Sequence, residues 1–273
     1  MPHSPPSAPA APVREPDTYH HIVRLEQVDM TFGHVQALTQ IDFAVGRNEI
    51  VGLIGDNGAG KSTLIKIISG VLRPTAGTVW VRDKRLDPSS YSVRRAHDLR
   101  IETVHQTQSL GEKQPLWRNL FVGRQIVGRF GFIDVKQEKA IADQLLRQAI
   151  GFRGHGITAD STVRDLSGGE RQGIAIARAM HFRADLIVLD EPTTALAVSE
   201  VRKVLAFIEG VKTAGRACIY IEHNLAHVHE VADRLVILDR GRVIRDIKKG
   251  ELSLAELINQ MVALHEGHDD AHA

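Results

Sequence analysis

The stretch "EIVGLIGDNGAGKSTLIKIISG", Glu49 to Gly70, commits the chain to an architecture. It opens with an apolar run of strand length, the composition of a parallel strand buried on both faces. A glycine-rich turn follows, and "KSTLIKIISG" then carries apolar residues at helical spacing. Across the turn "GDNGAGKS", Gly55 to Ser62, fits the spacing G-x-x-x-x-G-K-[ST] between a strand and a helix, the context this motif requires. In such a loop the backbone of Gly55, Asp56, Asn57, Gly58, Ala59 and Gly60 curls its N–H groups around a phosphate. Lys61 supplies charge to the outer oxygens, Ser62 offers a hydroxyl to Mg²⁺, and Thr63 follows in the first helical turn.

Further along, "LIVLDE", Leu186 to Glu191, ends a second buried strand on two carboxylates. Parallel strands deliver their C-terminal ends to one edge of a sheet, so Asp190 is placed to hold Mg²⁺ through water. Glu191 is placed to polarise the water that attacks a terminal phosphate. Two neutral hydrogen-bonding residues also follow apolar strands: Gln106 after "IETVHQ" and His223 after "YIEH".

Between these motifs lies "LSGGERQ", Leu166 to Gln172. Ser167 and Glu170 have the spacing of a capping box, which predicts a helix start. Gly168 and Gly169 are unfavourable there, since glycine in a helix is about 1 kcal/mol worse than alanine. Bare backbone at a helix N-terminus suits an anion, phosphate above all. "SLAE", Ser253 to Glu256, repeats the capping spacing without glycines.

The strand–helix–strand rhythm predicts an α/β fold with a mainly parallel sheet. "HIVRLEQVDMTF" and "ALTQIDFAV" alternate in the manner of antiparallel strands and predict an N-terminal β-subdomain. From about residue 107 to 165 strand signals give way to helical ones, predicting an inserted helical subdomain. Residues 1–20 read as a disordered tail, 21–264 as one ordered domain and 265–273 as a flexible, His-rich tail. The first segment has no apolar core of the length a signal peptide needs. The chain carries 34 basic and 33 acidic side chains, so no global field recruits nucleic acid. Cys218 is the single cysteine, which excludes an internal disulfide.

In their order along the chain, these motifs resemble the nucleotide-binding subunit of ATP-binding cassette (ABC) transporters, over roughly Ile22 to Leu264. The resemblance implies a P-loop NTPase core, ATP and Mg²⁺ as ligands, and ATP hydrolysis coupled to transport. It implies that Phe32 stacks on adenine and that Gln106 senses γ-phosphate and metal and opens the segment touching a membrane partner; the expected mechanism passes dimer closure to that partner through this segment, including Trp117. Glu191 matches the general base and His223 the switch histidine. Ser167, Gly168 and Gly169 match the signature that faces the nucleotide of the other cassette in a head-to-tail dimer. The implied partners are a second cassette, permease subunits and, indirectly, a substrate-binding protein, with the chain peripheral on the cytoplasmic face of the inner membrane. The phrasing of the phosphate loop, "IETVHQTQSL" and "RNLFVGR" is similar to monosaccharide importers of the ribose/fructose type. Cassettes for branched-chain amino acids or lipids, and soluble ABC ATPases acting on DNA or ribosomes, are the alternatives. Two positions depart from the family pattern: Ala197 stands where aspartate is common, and Glu222 where serine is common.

Overall fold

Two sheets divide the strands, and the order in which the chain visits them fixes where the loops converge. The computed structural model describes residues 20–104, 111–149, 157–194 and 196–269. Strands β1 (His21–Phe32), β2 (Val35–Gly46), β4 (Ala76–Val81) and β5 (Lys84–Arg85) form an antiparallel sheet in the order β2-β1-β4-β5. The remaining strands are β3 (Ile50–Ile54), β6 (Ile101–Val104), β7 (Leu186–Asp190), β8 (Ala217–Ile221), β9 (Arg234–Asp239) and β10 (Arg242–Lys248). They form a six-stranded sheet in the order β10-β9-β3-β8-β7-β6, parallel throughout except for the β9–β10 hairpin. The α/β class, the antiparallel N-terminal sheet and the mainly parallel core therefore take the form expected of the sequence.

Burial on both faces explains why β3, β7 and β8 read as unbroken apolar runs. Successive side chains of a strand point to opposite faces. Leu186 and Val188 accordingly join the core shared with the antiparallel sheet and α1 (Lys61–Ile68), while Ile187 and Leu189 join the core on the other face. That second core is covered by α5 (Gly168–His181), α6 (Val198–Thr213), α7 (Leu225–Val231) and α8 (Leu254–Asp269). The helix α2 (Val93–Asp98) precedes β6.

The segment from 107 to 165 contributes α3 (Leu116–Phe121), α4 (Val135–Ala149) and a 3-10 turn at Val163–Asp165. These build a separate small core with Leu116, Trp117, Phe121 and Leu146. Helix α5 belongs to both bodies: Ile174 packs into the small core, and Ala175, Ile176 and Ala179 pack against the large sheet. The last helix runs to Asp269, beyond the expected boundary at Leu264, so the tail expected from residue 265 starts in helix. Residues 1–19 and 270–273 lie outside the described residues.

Candidate functional site

The loop after β3 turns through Gly55, Gly58 and Gly60, all at positive φ, and enters α1 with Gly60 as N-cap. Gly60 combines φ of 106° with close packing: a Cβ there would lie 2.8 Å from the Ala37 carbonyl oxygen. Only glycine meets both demands. No side chain caps α1, and its first turn holds no acidic residue, so its leading N–H groups are bare and no carboxylate competes for them. Lys61 is buried, and its Nζ donates to the carbonyls of Gly55 (2.6 Å) and Asp56 (2.9 Å). Burial lowers its pKa, while the carboxylates of Glu191, Asp56 and Asp190 oppose that shift. Ser62, Thr63, Asp190 and Glu191 line the same cleft, of about 170 Å³, with Asn57 and Gly58. A bare helix N-terminus, a curled glycine loop, a cation and two carboxylates fit a nucleotide triphosphate. Ser62 and Asp190 fit Mg²⁺, a cation that takes few protein ligands beside water and phosphate.

Register brings the second motif to the first. Ile221 at the end of β8 pairs with Leu53 on one side and Asp190 on the other. The loops after β3, β7 and β8 thus leave the sheet together at the carboxyl ends of its strands, where open α/β sheets bind their ligands. Glu191 takes the left-handed conformation (φ 49°) and its N–H donates to Ile221 O at 3.0 Å. A non-glycine residue there is uncommon and needs support from its surroundings. Its Oε1 lies 2.7 Å from His223 Nε2, and its Oε2 accepts from the Thr194 hydroxyl at 3.4 Å. The pairing of Glu191 with His223 is a contact between residues 32 positions apart. Gln106 lies outside the described residues, two positions beyond the end of β6.

The signature stretch forms the expected cap. Ser167 Oγ accepts from Glu170 N–H (3.3 Å), and Glu170 Oε2 accepts from Ser167 N–H (2.8 Å). Ser253 and Glu256 make the same reciprocal pair at 3.3 and 2.7 Å. The two glycines, however, answer to packing as well as to bare backbone. A Cβ on Gly168 would lie 2.5 Å from Leu196 Cδ2, and one on Gly169 would lie 2.8 Å from Glu200 Cβ. At Gly169 the N-terminal turn of α5 thus sits against the start of α6 with no room for a methyl group. None of Ser167, Gly168 and Gly169 lines the phosphate-loop cleft.

Phe32 ends β1 with its ring 45% exposed, available as a flat surface beside the Gly33 turn and absent from the core. Trp117 is a correction: it is 7% exposed inside the small helical core, with the Arg118 guanidinium over its ring at 5.1 Å, so its ring is not a surface contact. Sequence reading also missed what holds the phosphate loop from behind. Gly241, in the turn between β9 and β10, donates its N–H to Ala59 O (2.9 Å) and accepts from Thr39 N–H (2.7 Å). No local signal marks that contact, which joins residues 182 positions apart.

Residues 38–194 match the family model described as ABC transporter. The xylose/arabinose import ATP-binding protein of Sulfolobus acidocaldarius is 38% identical over 246 residues, 90% of this chain and 96% of that protein. The fructose import ATP-binding protein of Rhizobium meliloti is 36% identical over 89% of this chain and 94% of its own length. The ribose import ATP-binding protein of Caldanaerobacter subterraneus is 32% identical, and this chain spans 47% of it. Among solved structures, a nucleotide-free ATP-binding cassette from an ABC transporter superposes with a TM-score of 0.73 at 24% identity, covering 88% of this chain and 94% of the other. A dimeric cassette in a post-hydrolysis state bound to ADP and Pi gives 0.67 at 23% identity, over 84% and 100%. Motif order, sheet topology and these relatives agree: the chain belongs to the ABC transporter family.

Proposed function

We infer that this chain is the ATP-hydrolysing subunit that energises a membrane importer of a monosaccharide. The observation that carries the reading is its match, over nearly the whole length of both chains, to a protein named for xylose/arabinose import. Relatives named for fructose and ribose import point to the same substrate class. No described helix is long and apolar enough to cross a membrane, and in this reading permease subunits supply the pathway. In this reading the chain sits on the cytoplasmic face of the inner membrane, beside permease subunits served by a substrate-binding protein.

ATP supplies the phosphoanhydride to be cleaved, and Mg²⁺ neutralises charge on its phosphates. The chain's own residues do the rest. Phe32 offers its exposed ring to the adenine. The loop N–H groups and Lys61 hold the phosphates, and Ser62 and Asp190, with Gln106, hold the metal. Glu191 takes a proton from the attacking water at its carboxylate, and His223 holds that carboxylate through Oε1. Ser167 and the N–H groups of Gly168 and Gly169 serve a second copy's nucleotide in a head-to-tail homodimer. Their absence from this chain's own phosphate cleft supports that assignment. Closure of the pair reaches the permease through the segment that Gln106 opens.

The test is the intact complex isolated from its membrane and supplied with its binding protein. A monosaccharide should stimulate ATP hydrolysis, and Glu191→Gln should abolish it while leaving ATP bound. Stimulation by an amino acid alone would sink the sugar reading. Purification with ribosomes or DNA and no permease would sink transport, and a Glu191→Gln protein working at the parent rate would sink the base assignment.

A further inference from the structure

Glu222 immediately precedes His223, at the position where serine is common in the family, and its side chain is 4% exposed. A carboxylate taken out of water is costly unless its oxygens are satisfied. Both are. Oε2 accepts the hydroxyl of Thr193, itself buried, and Oε1 accepts the backbone N–H of His223 at 2.8 Å. The two donors lie on different loops: Thr193 follows β7, and His223 follows β8. Tyr220 is buried in the same place, and its phenol is pushed up, first by burial and then by the charge of Glu222. No cation is hydrogen-bonded to the carboxylate among the described residues, so charge pairing does not explain its burial.

The tie has a consequence for the neighbouring pair. Glu191 lies two residues before Thr193, in a left-handed conformation its surroundings must hold, and it meets the ring of His223 at 2.7 Å. The backbone bond from Glu191 N–H to Ile221 O fixes one end of this loop pair, and the buried carboxylate fixes the other. A serine, with one oxygen on Cβ, lacks both the reach and the second acceptor. We propose that Glu222 is a positioning residue whose buried carboxylate ties the loop after β7 to the loop after β8 and so sets the contact between Glu191 and His223. The proposal rests on the reading of Glu191 as the base.

Its test uses the full-length chain, concentrated enough to supply its own second copy, with Mg-ATP hydrolysis and ATP binding measured separately. Glu222→Ala should lower kcat about tenfold or more, the scale on which misplacement of a reacting group acts, and leave KM within about twofold. Glu222→Gln keeps the reach and an acceptor for the His223 N–H, and its NH2 can donate to the Thr193 hydroxyl oxygen with that one bond reversed, so it should retain kcat within about threefold. Thr193→Val should share the loss, and the double variant with Glu222→Ala should be no worse than the worse single one, since both cut one tie. If Glu222→Ala fails to fold, Thr193→Val carries the same test. Parent-like kcat in Glu222→Ala and Thr193→Val, equal losses in the Ala and Gln variants, or additive losses would overturn the proposal. Glu191→Gln measured alongside separates the two failures: hydrolysis there at the parent rate refutes the base reading itself.

Discussion

Alanine at Gly169 should destabilise the protein, and alanine at Gly168 should be close to neutral, although both replace glycine in the first turn of one helix. Propensity alone favours alanine at either position by up to about 1 kcal/mol. Packing separates them. At Gly169 the new methyl group would lie 2.8 Å from Glu200 Cβ and 3.4 Å from Glu200 Cα, atoms that move only with the backbone of α6. Overpacking of that kind costs about 1–3 kcal/mol, so at the middle of that range a net loss of about 1 kcal/mol remains after the propensity gain. At Gly168 the clash is with Leu196 Cδ2, the far end of a flexible side chain that a change of rotamer moves away. There the net effect should stay within about 0.5 kcal/mol. Urea unfolding of the full-length chain, followed by far-ultraviolet circular dichroism, reads both as shifts in midpoint at unchanged slope. If Gly169→Ala were as stable as the parent, the glycine would not be holding α5 against α6, and ligand approach alone would have to explain it.

The departure at Ala197 makes a second prediction. Ala197 is the N-cap of α6, with extended backbone (φ −68°, ψ 154°) and no side-chain cap, so Ala197→Asp should raise stability by about 1 kcal/mol; an unchanged or lower unfolding midpoint would refute this. A third concerns pH. His181 packs edge-on to Phe121 and Phe182, and burial first, then the charge of Arg183, lowers its pKa below the ordinary 6.5. As pH falls through 6.5 the unfolded chain therefore binds this proton before the folded one, and stability declines until the folded group titrates. His181→Phe should flatten that decline, leaving the part due to His97, which burial also lowers; equal slopes in parent and variant would refute it.

Local rules carried most of the fold, because the deciding features are themselves local. A strand buried on both faces must read as an apolar run, and a phosphate loop must spend consecutive residues on glycine and lysine, so β3, the loop and α1 were legible together. The caps at Ser167 and Ser253 were legible for the same reason: both partners lie within one turn. What stayed hidden depends on contacts across the chain. The sequence marks Glu191, but only the fold shows His223 beside its carboxylate and Ile221 holding its backbone. At Glu222 the sequence shows only a departure from the family pattern, and the fold supplies its partner, Thr193. Trp117 went the other way. An aromatic residue near a segment implied to touch the permease belongs to the small helical core, because α3 turns that side inward onto α4 and α5.

The packing of the two glycines also joins parts of the site that the sequence keeps apart. Helix α5 is shared by the small helical core and the large one, so any rotation of the helical body against the sheet must be absorbed by α5 or by its contacts. At its N-terminal end Gly169 leaves no room for a methyl group against Glu200. Well-packed interfaces shift as units and do not deform continuously. A displacement of Ser167 and Gly169 therefore presses on the start of α6, which begins only seven residues beyond Glu191. The N-terminal turn of α5 thus rests on the helix start to which the loop after Glu191 leads, so the bare backbone at Gly169 has a packing role beside the anion site proposed for it.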